Sequence, residues 1–235
     1  MTEQVFVLLV EDFRYADGQG RISKLVIDRG TMEVRECVPL INGKSHYSFP
    51  FVMHESGKVY ICPENSCAGG LPIYEYHEPE GRCLFVREMS NQPLTDAVVA
   101  EVFGDRYMLS TRLPDANGKR LWVWKQENGS FSADALYSID FQESVARNAG
   151  AMFKVGEDWY RPAQKCNQWY GHAISLQRVM MDNDKLYFEE VRRLTDQAGM
   201  HTFNVHDGVI VVDRKRFRIP WLSRLVYAFW KKKDL

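Results

Sequence analysis

The chain has 235 residues, 45% of them hydrophobic and 26% charged, which suits a globular protein with a full core and excludes a disordered one. Thirty basic residues face thirty-one acidic ones for a formal charge of −1, so no global basic field argues for nucleic acid. The start, "MTEQVFVLLVEDF", has no basic n-region and only a short apolar run, which reads as no signal peptide. No apolar stretch reaches the roughly eighteen residues that a spanning helix needs.

From the N-terminus onward the dominant hydrophobic period is two. "VFVLLVEDF" (5–13), "ISKLVIDRG" (22–30), "MEVRECVPL" (32–40), "KVYICPE" (58–64), "LPIYEYHE" (71–78), "CLFVREM" (83–89), "RYMLSTR" (106–112) and "RLWVWKQ" (120–126) all predict strands. Ser-Gly at 56–57, Glu-Gly at 80–81, Gly-Asp at 104–105, Asn-Gly at 117–118 and 128–129, and Asp-Gly at 207–208 supply hairpin turns, because Gly and Asn accept the positive φ such turns demand. Cys37, Cys62, Cys67, Cys83 and Cys166 form no C-x-x-C pair. They read as buried, inert thiols in a reducing compartment, with neither a disulfide framework nor a structural zinc site.

A unit repeats. "SFPFVMHESGKVYICPEN" from Ser48, "TDAVVAEVFGDRYMLSTR" from Thr95, "ARNAGAMFKVGEDWYRPAQ" from Ala146 and "GMHTFNVHDGVIVVDRK" from Gly199 each join a polar opening to two apolar strands. The openings are 47, 51 and 53 residues apart. A period near fifty with about four strands per unit predicts an all-β, five-bladed β-propeller over residues 1–214, its first and last blades incomplete. A β-sandwich is the rival, although it needs no evenly spaced openings. In a propeller the openings at His46-Tyr47-Ser48, Thr95-Asp96, Arg147-Asn148 and His201-Thr202 converge on one mouth.

The segments "HYSFPFV", "GKVYICPEN", "LTDAVV", "RNAGAMF", "WYRPAQKCNQWYGHAI" and "MHTFNVHDGVIVVD" resemble the N-terminal five-bladed propeller of glucosamine inositolphosphorylceramide transferases. The resemblance spans about residues 5–214. It implies a place in glycolipid or bacterial-type surface-polysaccharide synthesis, beside a glycosyltransferase or formyltransferase domain, and a fold related to five-bladed furanosidase-type glycosidases. One departure is expected to matter. The Ala-Asp-Pro-Phe strand with which such sequences begin is missing ahead of "VFVLLVEDF", and the related glycosidases carry a catalytic carboxylate there.

Glycoside hydrolysis uses two carboxyl groups, about 5–5.5 Å apart for retention or about 6.5–9.5 Å apart for inversion. Glu64, ending one blade's second strand, and Asp96, opening the next blade, are the best catalytic pair. Their structural alternatives are a Glu64–Arg161 ion pair or turn cap, and an Asp96 bond to its own strand. Arg147 and Arg161 are candidate forks for a uronate or a lipid-linked sugar phosphate, or else inter-blade salt bridges. Asn148, Gln164 and Tyr170 suit sugar hydroxyls, while Trp159, Tyr160 and Trp169 suit either a sugar face or the blade core. His46 and His201 complete the substrate-binding set, His201 as acid/base or hydroxyl ligand. His201 and His206 alternate onto opposite faces, so no metal site is expected, and no motif implies a cofactor.

The tail "RKRFRIPWLSRLVYAFWKKKDL" (214–235) places Ile219, Trp221, Leu222, Leu225, Val226, Phe229 and Trp230 between basic clusters. After Pro220 it predicts a short amphipathic helix in a separate tail, 215–235, that either lies on a membrane through 217–233 or packs on protein. The expected function is carbohydrate recognition at the mouth, in a cytoplasmic protein peripheral at the inner membrane face. The alternative is a glycosidase or propeller-type glycosyl transferase using Glu64 and Asp96, and a third is a scaffold.

Overall fold

The computed structural model describes residues 4–195 and 199–214, and the tail expected at 215–235 lies outside them. Every predicted strand forms. The first sheet is a three-stranded meander of β1 (Val5–Arg14), β2 (Gln19–Asp28) and β3 (Val34–Ile41). The second runs β4 (Ser48–Glu55), β5 (Lys58–Glu64), β6 (Leu71–His77) and β7 (Arg82–Ser90). In the third, β8 (Leu94–Val102), β9 (Asp105–Arg112) and β10 (Arg120–Glu127) are edged by two short strands, β11 (Ser130–Phe131) and β12 (Tyr137–Asp140), which share the outer edge of β10. The fourth comprises β13 (Phe153–Val155), β14 (Asp158–Lys165), β15 (Ala173–Asp182) and β16 (Lys185–Thr195), and a hairpin of β17 (Phe203–His206) and β18 (Val209–Val212) follows.

The arrangement is a propeller, with four blades rather than the five expected. The opening at Gly199 was expected to begin a fifth, incomplete blade, but among the described residues it leads only to a two-stranded hairpin of four-residue strands. The hairpin turns follow the chemistry of positive φ. Ser56-Gly57, Asn128-Gly129 and Asp207-Gly208 have both central residues at φ between +48° and +79°, the geometry that matches strand twist. Phe103-Gly104 and Asn183-Asp184 adopt it as well. Asn117-Gly118 departs from expectation and sits in a longer loop between β9 and β10.

Strand alternation sends one face of each blade into the next. Phe51, Met53, Cys62 and Ile73 of the second blade pack with Val98, Tyr107, Leu109, Leu121 and Val123 of the third and with Val179 and Leu186 of the fourth. Ile22 and Ile41 meet Ile61 between the first two blades, and Ala149 and Ile174 meet Phe203 of the hairpin. Two glycines permit close approach of neighbouring units. A Cβ at Gly20 would stand 2.5 Å from the Tyr47 carbonyl oxygen, and one at Gly150 would stand 2.1 Å from that of Phe203. The thiols divide. Burial pushes Cys62 up to about 12 and Cys83 to about 11, as expected of inert groups, whereas Cys37 and Cys67 are exposed, on outer strand and turn positions.

Leu109 is completely buried where three blades meet, and Val155 is a solvent-facing strand residue. Leu109→Ala is expected to lower unfolding free energy by about 2–5 kcal/mol, and Val155→Ala to stay within about 0.5 kcal/mol. Urea titration of both variants checks this, and similar midpoints would contradict the inter-blade core.

Candidate functional site

The blade openings do converge, through two equivalent backbone irregularities. The β4–β5 register shifts between Ser48 and Phe51, and the β8–β9 register between Thr95 and Val98. Phe49 and Asp96, at matching places in the two bulges, take φ of +41° and +47°. An αL residue other than Gly costs roughly 1–3 kcal/mol unless its surroundings hold it. At Asp96 they do.

Glu64 ends β5 at 7% exposure, and Asp96 is 2% exposed on β8. Glu64 Oε2 accepts from the Asp96 backbone N–H at 2.8 Å, and Oε1 accepts from Ser66 Oγ at 2.8 Å. Arg147 comes from the segment leading into the fourth blade. Its Nε donates to Asp96 Oδ2 at 2.5 Å, and its Nη2 to Asp96 Oδ1 at 3.2 Å and Glu64 Oε2 at 3.4 Å. Its Nη1 donates to Asn117 Oδ1 at 2.9 Å. The fork is therefore spent inside the protein, closing an inter-blade ion pair.

Gln164, on β14, donates through Nε2 to Asp96 Oδ2 at 2.6 Å and to the Asn148 carbonyl at 2.9 Å. Its Oε1 is buried with no hydrogen-bond partner in the protein. Asn148 Nδ2 donates to the Asp96 and Leu109 carbonyls at 2.8 and 2.9 Å. Beneath it Arg161, fully buried, donates to Asn148 Oδ1 at 2.8 Å, to Gln177 Oε1 at 2.7 Å and to the Val145 and Ala146 carbonyls. The Phe141 and Phe188 rings flank its guanidinium, and burial lowers it to about 9. Arg161, Asn148 and Gln164 were expected to meet a ligand. They instead lie under the mouth as its support, because each is buried with its donors taken by protein acceptors. Nor does Glu64 pair with Arg161, since Arg147 holds it.

The outward rim is built from other groups. Tyr170 is 48% exposed, stands 5.0 Å from the Arg147 guanidinium and meets His201 edge-on at 5.3 Å. His201 Nδ1 pairs with Asp213, which also accepts from the His201 and Thr202 backbone N–H groups at 2.9 and 2.6 Å. Burial alone would lower the imidazole, but Asp213 outweighs it and raises it. Burial opposes ionisation of Asp213 too, yet His201 and the two N–H groups hold it down at about 2. His46 Nδ1 accepts from Gly20 N–H at 2.9 Å, which leaves Nε2 3.5 Å from Glu11 Oε1.

Glu11 is the residue that sequence reasoning missed. Burial raises its carboxyl, and the charges of His46, His201, Asp96 and Arg147 all act on it. The signal was present: alternation along β1 puts Val7, Leu9, Glu11 and Phe13 on one face, so a carboxylate interrupts an otherwise apolar row. Trp159 and Tyr160 pack in the blades, the latter stacked on Phe153 at 5.7 Å. His206 is exposed beside Asp207.

Burial pushes Glu64 up to about 8, and the adjacent Asp96 adds to the rise against the opposing charge of Arg147. Arg147 is held charged, since Asp96 and Glu64 outweigh the burial that would lower it. The cluster is an Asp96–Arg147 ion pair beside a glutamic acid that burial disposes to hold its proton.

Blades of antiparallel strands around such a polar mouth define a β-propeller. The chain belongs to the family "Glucosamine inositolphosphorylceramide transferase 1, N-terminal", whose sequence profile matches residues 15–211. Glucosamine inositolphosphorylceramide transferase 1 of Arabidopsis thaliana is 24% identical over 171 residues, covering 70% of this chain and 22% of that protein. Its namesake in Oryza sativa subsp. japonica is 24% identical over 163 residues, covering 66% and 21%. The chain thus spans about a fifth of the length of these relatives. Among solved structures, an exo-β-1,3-galactanase from Phanerochaete chrysosporium superposes with TM-score 0.58 at 7% identity, over 89% of this chain and 49% of that one. An α-L-arabinofuranosidase from Clostridium thermocellum superposes with TM-score 0.54 at 15% identity, over 83% and 71%. At these identities the likeness is one of fold.

The raised Glu64 sets a pH dependence. The folded state keeps a proton that the unfolded chain releases near 4.5, so stability from this group is full below that value and is lost as pH rises towards about 8. Urea midpoints measured from pH 5 to 8.5 are expected to fall in the wild type and to fall less in Glu64→Gln. Parallel profiles for the two proteins would refute the assignment.

Proposed function

We propose that the chain is a carbohydrate-recognising propeller that binds a saccharide at its mouth and serves glycolipid or surface-glycan synthesis beside a separate transferase domain. One observation carries this reading over an enzymatic one: the two carboxyl groups are joined to each other and to Arg147. Glu64 accepts the Asp96 backbone N–H and both carboxyl groups contact the Arg147 guanidinium, so their oxygens are engaged by protein donors. Hydrolysis needs the pair to flank the bond instead. The rim formed by Tyr170, His201, His46 and Glu11 offers an aromatic face with donors and acceptors around it, the chemistry that suits a sugar ring and its hydroxyls. Because Asp96 already matches Arg147, the reading favours a neutral sugar unit at this point over an anionic one.

A single observation favours the alternative of a glycosidase or glycosyl transferase. Glu64 at about 8 stays protonated at neutral pH, as a general acid must. The cytoplasmic location and the membrane contact through 217–233 belong to this same proposal, as does the partner glycosyltransferase or formyltransferase domain.

Saturation-transfer NMR on a mixture of simple glycosides and nucleotide sugars separates the readings, with the same tubes followed for products. Saturation without turnover is expected, weakened roughly tenfold or more by Tyr170→Ala, which leaves the buried network intact. Turnover abolished by Glu64→Gln or Asp96→Asn would establish the enzyme instead. No saturation from any sugar would remove the mouth as a binding site.

A further inference from the structure

The loop between β9 and β10 has two sides. On one, Asn117 accepts from Arg147 and so closes the mouth. On the other, Leu113, Pro114 and Lys119 wall a separate cleft of about 630 Å³, completed by Arg112, Trp122 and the Arg120–Asp140 pair. That volume lies within the range of roughly 300–1,000 Å³ typical of small-molecule sites. No residue of the Glu64–Asp96–Arg147 cluster lines it.

The charges of this cleft are unevenly matched. Arg120 is held by Asp140 through two hydrogen bonds, at 2.6 and 2.9 Å, and the charge of Asp115 acts on it as well. One acid of the cleft is thus bonded to Arg120 and the charge of the other acts on the same arginine, and the lining keeps a net charge of +1. Arg112 sits over Trp122, its guanidinium 3.7 Å from the ring centroid, and among the described residues its side chain donates to the neutral Gln92 side chain at 3.3 Å. Among the described residues no carboxylate pairs with Arg112 or with the exposed Lys119. Stacking on an indole pre-orders a guanidinium and keeps its edge available, which suits bidentate recognition of an oxyanion. Leu113, Pro114 and the edge of Trp122 supply an apolar wall next to these two cations.

We propose that this cleft is a second binding site, for a sugar unit bearing a carboxylate or a phosphate. Arg112 and Lys119 take the anion, and the ring rests on the apolar wall. The site does not depend on the mouth, whose arginine is neutralised internally. The two differ in the ligand charge they select.

Indole N–H signals of the ¹⁵N-labelled chain give each site its own reporter, since Trp122 lines the cleft and Trp169 stands beside His172 and Tyr170 near the mouth. The Trp122 signal is identified by its loss in Trp122→Phe. Titration with glucuronate and with glucose 6-phosphate is expected to move it, and the stronger of the two names the anion. Glucose and inorganic phosphate, each lacking half of the recognised chemistry, are expected to bind at least about tenfold more weakly, and Lys119→Gln to weaken the charged sugars by roughly tenfold. Tyr170→Ala is expected to leave the Trp122 response unchanged, so loss of the mouth and loss of the cleft are read separately. A Trp122 signal that ignores both charged sugars, follows glucose equally well, or is indifferent to Lys119→Gln overturns the proposal. Inorganic phosphate binding as tightly as the sugar phosphate overturns it too, by reducing the cleft to a bare anion site.

Discussion

Every polar group of Asp96 is committed to another part of the propeller. Its N–H goes to Glu64, its carbonyl to Asn148, and its carboxylate to Arg147 and Gln164, which ties the second, third and fourth blades at one point. The rest of the mouth depends on this knot. It holds the αL backbone at Asp96 and fixes the side chains on which Tyr170 rests. A buried ion pair adds little net stability over an apolar replacement, while breaking one by removing a single partner costs about 3–5 kcal/mol. Its contribution is therefore register more than strength. Blades that packed through apolar faces alone could slide past one another, but five directed hydrogen bonds cannot be met in two registers.

The same knot decides what kind of chemistry the mouth supports. Glu64, whose burial favours the neutral acid, and Asp96, clamped by Arg147, have their polar atoms met within the protein. Charge is instead left over at two other places. On the rim, the Asp213–His201 pair and the His46–Glu11 pair face one another across the end of the first blade and the final hairpin. On the far side of the Asn117 loop, Arg112 and Lys119 have no carboxylate partner among the described residues. One short loop thus separates a balanced surface from a cationic one, and the two differ in the ligands they attract.

Repetition accounts for the position of these groups, and divergence for their chemistry. The bulged opening strand puts Phe49 in one blade where Asp96 stands in the next. Phe49 packs into the apolar core, whereas Asp96 organises the polar mouth. The shared backbone irregularity gives the second and third blades one matching inward position each, and the side chain placed there sets its role. Family membership fits this division, since the sequence profile spans nearly all the described strands and the likeness to solved glycosidases is confined to the fold.

Local patterns in the chain determined the strands, most of the hairpins and the convergence of the openings at Asp96, Arg147 and His201. These rest on a period of two and on turn residues that accept positive φ, both properties of short segments. The blade count was not legible in that way. A recurring opening marks where a unit begins, while the number of strands that follow Gly199 depends on pairing partners distant in the chain. Tertiary structure also decided the roles. Arg161, Asn148 and Gln164 have the composition of ligand-binding groups, but burial and mutual hydrogen bonding turned them into supports. Glu11, hidden in an apolar strand, became part of the rim because β1 ends at the mouth. The assignment of Arg147 to Asp96 and of Asp140 to Arg120 left Arg112 and Lys119 without a carboxylate among the described residues, an outcome of three-dimensional proximity that one-dimensional spacing does not encode.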